Sequence, residues 1–198
     1  MRFPEVNIQL PAWTESFMAE MGDVFPSVDD RMRMVIELSR KNIERKTGGP
    51  FGAAVFDRDG RLIAPGINLV VDSNCSVLHA EMVALIFAQQ TLGRYDIGDG
   101  GTLDYDLVVS TEPCAMCFGA VPWSGVNRLI CAARDEDARG IGFDEGPKLA
   151  NWVEELTSRG IEVIRDVLRE EAVAVLNEYA AEGGPIYNAG QHNGSSTL

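Results

Sequence analysis

Positive charge is what this sequence has least of. Its 17 Lys and Arg face 30 Asp and Glu, a net charge of −13 at pH 7. Nucleic-acid binding neutralises phosphates with clustered Lys and Arg. The nearest approach to a cluster is Arg31, Arg33, Arg40, Lys41, Arg45 and Lys46. These fall along one predicted helix and are expected to form its solvated face, so neither DNA nor tRNA is the expected substrate. A small uncharged molecule suits the charge better. Apolar runs of 18 or more residues are also missing, which excludes a membrane-spanning helix. The opening Met1-Arg2-Phe3-Pro4-Glu5 has no apolar signal core, so a cytoplasmic location is expected. Cysteine is scarce, four in 198 residues, too few for a disulfide framework. Two of the four are better explained as metal ligands, which fits a reducing compartment. What remains, with 45% hydrophobic residues, is expected to be one domain spanning 1–198 with a full core.

Two short stretches dominate: His79-Ala80-Glu81 and Pro113-Cys114-Ala115-Met116-Cys117. His79, Cys114 and Cys117 supply one nitrogen and two sulfurs. Zinc prefers four N/S ligands, so three from the protein leave one position for water. Bound zinc lowers the pKa of such a water from ~15.7 to roughly 7. Glu81, two residues from His79, is close enough to exchange a proton with it. The alternative is a structural site with a fourth protein ligand. The candidates are Cys75, four residues before His79, Cys131 in an apolar run, and His192 in a polar tail. Glu81 and Pro113 favour the open, catalytic arrangement, because H-x-E followed by P-C-x-x-C is the pattern of zinc nucleobase deaminases.

Along the chain, residues 1–28 read as an irregular N-terminal cover with three prolines and the aromatics Trp13, Phe17 and Phe25. Asp29-Asp30 opens a helix that Gly48-Gly49-Pro50 closes. Phe51 to Phe56 and Arg61 to Gly66 form a hairpin about Asp57-Arg58-Asp59-Gly60. A helix follows from His79 to Leu92, then a buried strand from Asp106 to Thr111 and a helix from Cys114. The next strand is Val126 to Ala133. Residues 134–146 read as an acidic loop, Pro147 starts a helix, Ile161 to Ile164 is the last strand, and Glu170 to Tyr179 closes the core. Residues 183–198 read as a C-terminal lid and tail. This order implies an α/β three-layer α/β/α sandwich on a five-stranded mixed sheet, with later strands parallel through right-handed crossovers.

The resemblance reaches beyond the metal motif. Gly49-Pro50-Phe51, Asn68, Glu112 to Ala120, Trp123, Gly142 to Pro147 and Ile186-Tyr187-Asn188 make the chain similar to bacterial-type guanine deaminases of the cytidine deaminase-like fold. The resemblance implies one Zn²⁺ per chain and hydrolysis of guanine to xanthine and ammonia in purine catabolism, with ammeline as a second substrate. It implies that Asn68 and the Ala80 N–H bond the purine and that Phe51 stacks on it. Trp123 and Phe143 would line the pocket. Glu145 would be a second catalytic carboxylate beside Glu81, and Tyr187 and Asn188 would close the site. A homodimer is implied too. The alternatives are a cytosine or tRNA-adenosine deaminase and a non-catalytic, zinc-stabilised purine-binding domain.

Overall fold

The side chains of the central strands sort by parity. The chain, described here from a computed structural model over residues 2–188, forms β1 (Gly52–Asp57), β2 (Leu62–Ile67), β3 (Tyr105–Thr111), β4 (Arg128–Ala133) and β5 (Glu162–Ile164). Ala54, Phe56, Val108, Ile130 and Ala132 enter one apolar cluster. Their neighbours Ala53, Val55, Leu107, Val109, Leu129 and Cys131 enter another. Successive strand residues face opposite sides of a sheet, so strands that are apolar throughout need helices on both faces. Three layers follow. The sheet order is β2-β1-β3-β4-β5. β1 is antiparallel to β2 and to β3, while β3, β4 and β5 run parallel. The expected five-stranded mixed sheet is the one found.

On the first face lie α1 (Trp13–Met21), α2 (Val28–Glu44) and α7 (Arg169–Ala181). On the second lie α3 (Ala80–Leu92), α4 (Ala115–Ser124) and α6 (Trp152–Thr157). Ser27 caps α2 by accepting from the Asp30 N–H at 3.0 Å, with Asp29 and Asp30 in its first turn, as the helix dipole favours. Met32, Val35 and Leu38 then recur along its buried face, each contributing about 1.5–3 kcal/mol by leaving water. On the other face, α3 lies so close to β2 that a Cβ on Gly66 would meet the Ala80 carbonyl oxygen at 2.2 Å. This contact sets the height of the His79-bearing helix start over the sheet.

Four details depart from the sequence reading. Residues 1–28 are not irregular throughout: α1 packs Phe17 into the core, and Trp13 Nε1 donates to Thr47 Oγ1 at 3.1 Å. The acidic stretch 134–146 contains a short helix, α5 (Asp135–Gly140). Helix α6 begins at Trp152, not at Pro147. Arg31 does not belong to a solvated face. It is buried and ion-paired with Asp106, which Arg128 also bonds at 2.9 Å. A buried guanidinium needs such a partner, because an unpaired buried charge is costly. Of the expected tail, residues 189–198, with His192, lie outside the described residues. Among the described residues, no helix is long and apolar enough to cross a membrane.

Candidate active site

Two helix starts converge beyond the ends of β2 and β3. His79 and Cys114 are the N-caps of α3 and α4, both with extended backbone, and Cys117 lies in the first turn of α4. The sequence reading put His79 inside the helix. The cap position instead turns its imidazole out of the helix barrel and toward the sulfurs. The ligand atoms of His79, Cys114 and Cys117 all lie within 4.8 Å of one another. Cys114 Sγ is 3.5 Å from His79 Nδ1. Cys75, the rival fourth ligand, is outside this group and packs against the apolar cluster on the α2 face. Cys131 is fully buried in the other cluster.

The electrostatics fit a cation held by three side chains. The hydrogen bond with Cys117 pulls the Cys114 thiol down to about 4, assisted by His79 and opposed by burial. Its bond to Cys114 and its burial push the Cys117 thiol up. Burial works against the His79 imidazolium, yet the bond to Cys114 and the charges of Glu81 and Glu145 keep its pKa raised. One nitrogen and two sulfurs, at least one readily a thiolate, are the donor set of a zinc site with an open position.

Beside these ligands is a cavity of about 240 Å³. That is smaller than the ~300–1,000 Å³ typical of drug-sized ligands and suits one small ring system. Phe51, Asn68, His79, Glu81, Phe143 and Glu145 contribute to its wall, with Tyr187 and Asn188 at its edge. Glu81 and Glu145 are both buried. Burial, and then the Cys114 charge, push Glu81 up to about 7. Burial, the Cys114 charge and Glu81 itself push Glu145 up to about 8. Pairs of carboxyls shifted in this way are characteristic of acid–base sites.

Three buried polar atoms near the cavity have no partner among the described residues: Asn68 Nδ2, Thr111 Oγ1 and Tyr187 OH. Asn68 is otherwise fully used. Its Oδ1 accepts from the Val70 N–H at 3.3 Å, and its carbonyl accepts from Asn42 at 2.9 Å. Only the donor half of its amide is left for a ligand, and leaving such a group unmade is expensive. The Ala80 N–H is among the first of α3, which have no carbonyl within the helix to bond. Thr111 is a wall residue that sequence reasoning missed. It ends an apolar strand, and nothing in its spacing distinguishes it from a core threonine.

The aromatic wall is built from the far end of the chain. Phe143 packs edge-on against Phe51 at 4.9 Å and against Tyr187 at 5.0 Å between ring centroids. Asn188 clasps the same loop. Its Oδ1 accepts from the Asp144 N–H and its Nδ2 donates to the Gly142 carbonyl, both at 2.9 Å. Gly49 is required here, because a Cβ would sit 2.5 Å from Tyr187 OH. Trp123 is placed elsewhere. It is 82% exposed on the outer face of α4 and does not line the cavity. Cys117, on the same helix, is buried at the ligand cluster. Six residues on, about 1.7 turns at 3.6 residues per turn, the helix has rotated roughly 120° away from that face.

Comparison with known proteins agrees with this geometry. The pattern of the cytidine and deoxycytidylate deaminase zinc-binding region matches residues 27–133. A guanine deaminase of Bacillus subtilis (strain 168) is 37% identical over 114 residues, 58% of this chain and 69% of that one. A tRNA-specific adenosine deaminase of the same organism is 34% identical over 142 residues, 72% of this chain and 82% of that one. A solved guanine deaminase from Nitrosomonas europaea is 47% identical with a TM-score of 0.84, covering 89% of this chain and 97% of that one. A mutant protein solved in complex with 8-azaguanine is 48% identical with a TM-score of 0.84, covering 89% and 98%.

Proposed function

The chain belongs to the cytidine and deoxycytidylate deaminase zinc-binding family, and we propose that within it the protein is a guanine aminohydrolase. The observation that carries this reading is the second buried carboxyl, Glu145, facing the same cavity as Glu81. The near full-length similarity to a solved guanine deaminase supports it. His79, Cys114 and Cys117 would hold the zinc ion, which supplies a water of lowered pKa next to the substrate.

The remaining work falls to this chain's side chains. Phe51, braced by Phe143, forms one wall of the slot, and Asn68 Nδ2 and the Ala80 N–H offer donors to the ring's acceptors. Glu81 takes a proton from the attacking water as its oxygen bonds to C2 of guanine, and passes that proton to the adjacent ring nitrogen. Glu145, whose carboxyl burial pushes up, can give a proton to the exocyclic amine. The C2–N bond then breaks, ammonia leaves, and Glu145 recovers the hydroxyl proton as the new carbonyl of xanthine forms. General acid–base steps of this kind contribute about 10²–10⁴-fold. Tyr187 and Asn188 hold the Phe143–Glu145 loop over the slot.

The same reading includes breakdown of free purines in the cytoplasm by a homodimer. The exposed apolar surface around Trp123 supports a second copy there, as large exposed apolar groups mark interaction surfaces. The test is ammonia release from guanine, ammeline, cytosine, adenine, their nucleosides and tRNA. Guanine should be the preferred substrate, with ammeline second. Preference for tRNA would instead make the enzyme an adenosine deaminase. No release from any of these would leave a purine-binding domain.

A further inference from the structure

A buried lysine outside the cavity ties the Glu145 loop to the zinc-ligand turn. Lys148 lies three residues after Glu145, and its side chain is only 7% exposed. Its Nζ donates to the Pro113 carbonyl at 3.1 Å, on the peptide immediately before Cys114. The same ammonium is 3.1 Å from Asp135 Oδ1 and 3.8 Å from Glu112 Oε2. The Pro113 carbonyl takes its hydrogen bond, and the two carboxylates add their charge. Trp152 covers it, with the ring centroid 4.9 Å from Nζ. On the near side, the Ala115 N–H donates to the Glu145 carbonyl at 2.9 Å. The loop carrying Glu145 is thus attached to the Cys114 turn at two points, one by backbone and one by a buried charge.

We propose that Lys148 is a positioning residue that fixes the Glu145 carboxyl relative to Glu81 and the zinc ligands. This rests on the guanine aminohydrolase reading. The physical case is that a proton donor held in a short loop is set by the loop's anchors. A displacement of about 1 Å can cost on the order of 10²-fold in rate. Removing the lysine takes the side-chain donor from the Pro113 carbonyl but leaves both carboxylates with other partners. Glu112 keeps Arg165 at 2.6 Å and the Asp135 N–H at 3.1 Å, and Asp135 keeps Arg139 at 2.6 Å. The fold is therefore expected to tolerate the change, because Asn188 and Arg139 still hold the loop, while the loop loses one of its two ties to the Cys114 turn.

A double-mutant cycle tests this with Lys148→Met, Glu145→Gln and the pair, each assayed for zinc content, KM and kcat with guanine. Lys148→Met should retain one zinc per chain and a KM within about threefold, and lose between about 10- and 100-fold in kcat. In the Glu145→Gln background, the same change should cost less than about twofold, because its effect passes through Glu145. Equal losses in both backgrounds, or a neutral Lys148→Met beside a damaging Glu145→Gln, would overturn the proposal and leave the guanine reading standing. A neutral Glu145→Gln would instead remove the role of Glu145 on which the proposal depends. Should Lys148→Met fail to fold, Lys148→Leu, equally unable to donate to the Pro113 carbonyl, takes its place in the same cycle.

Discussion

Glu81 and Asn68 divide the chemistry between proton transfer and recognition, and different measurements report on each. Glu81→Gln removes the proton acceptor but leaves His79, Cys114 and Cys117 untouched. It should keep stoichiometric zinc by metal analysis while kcat falls about 10²–10⁴-fold. Wild-type turnover in that variant would exclude Glu81 as the base. Asn68→Ala removes a buried amide donor that has no partner among the described residues. A net hydrogen bond is worth about 0.5–1.5 kcal/mol, so kcat/KM for guanine should fall roughly 2- to 10-fold, with zinc unchanged. Unaltered kinetics would place the base elsewhere. The zinc ligands and Glu81 were legible in the sequence, because they sit in short motifs whose spacing has a chemical reason, whereas Asn68 and Glu145 were named only through the family resemblance. Lys148 and Thr111 were legible by neither route. A lysine after an acidic loop reads as solvated, and only the fold places Glu112, Asp135 and the Pro113 carbonyl around it.

Among the elements, the sheet and the long helices were legible, because period-2 and period-3.6 apolar patterns mark buried strands and helices. The short helix α5 was not. Its sequence Asp-Glu-Asp-Ala-Arg-Gly buries only Ala138, so no apolar stripe announces it. Charge holds it instead. Asp137 Oδ2 accepts from the Arg134 N–H at 2.7 Å and from Arg169 Nε at 2.9 Å, which ties α5 to α7. The Arg169 bond, against modest burial, lowers Asp137 below its ordinary 3.8, and its bonds to Arg139 and Lys148 overcome burial to lower Asp135. A carboxylate with a depressed folded pKa stabilises fully above its unfolded pKa and loses that contribution as pH falls through the folded value. The clasp should therefore be intact from pH 8 to about 5 and fade below about 4. Asp137→Asn should lower Tm at pH 7 by about 3 °C, corresponding to roughly 1 kcal/mol. For zinc-free samples, that gap should narrow as pH falls below 3.8 toward the depressed folded value. A gap that does not narrow on acidification would assign the loss to packing instead of charge.

At the scale of the whole molecule, exposed aromatics sit on a surface that is otherwise strongly acidic. Trp123 is 82% and Tyr95 84% exposed, and with Pro122 and Ile161 they border one shallow depression at the outer end of α4. A lone exposed apolar residue is unremarkable, but a tryptophan and a tyrosine beside a proline form a patch that water covers poorly. Trp and Tyr are also the residues enriched where proteins meet. The net charge of −13 opposes association of identical copies at low salt. Screening shortens that repulsion to about 8 Å at physiological ionic strength, so an apolar contact can prevail there. Two consequences follow for a dimer closed through this face. Lowering salt should shift the population toward single chains. Trp123→Glu, which adds a charge at the centre of the contact, should give single chains at every salt concentration in light scattering, with the zinc content of the wild type. A Trp123→Glu protein that still scatters as two chains would place the interface on another face and leave this patch without a role in assembly.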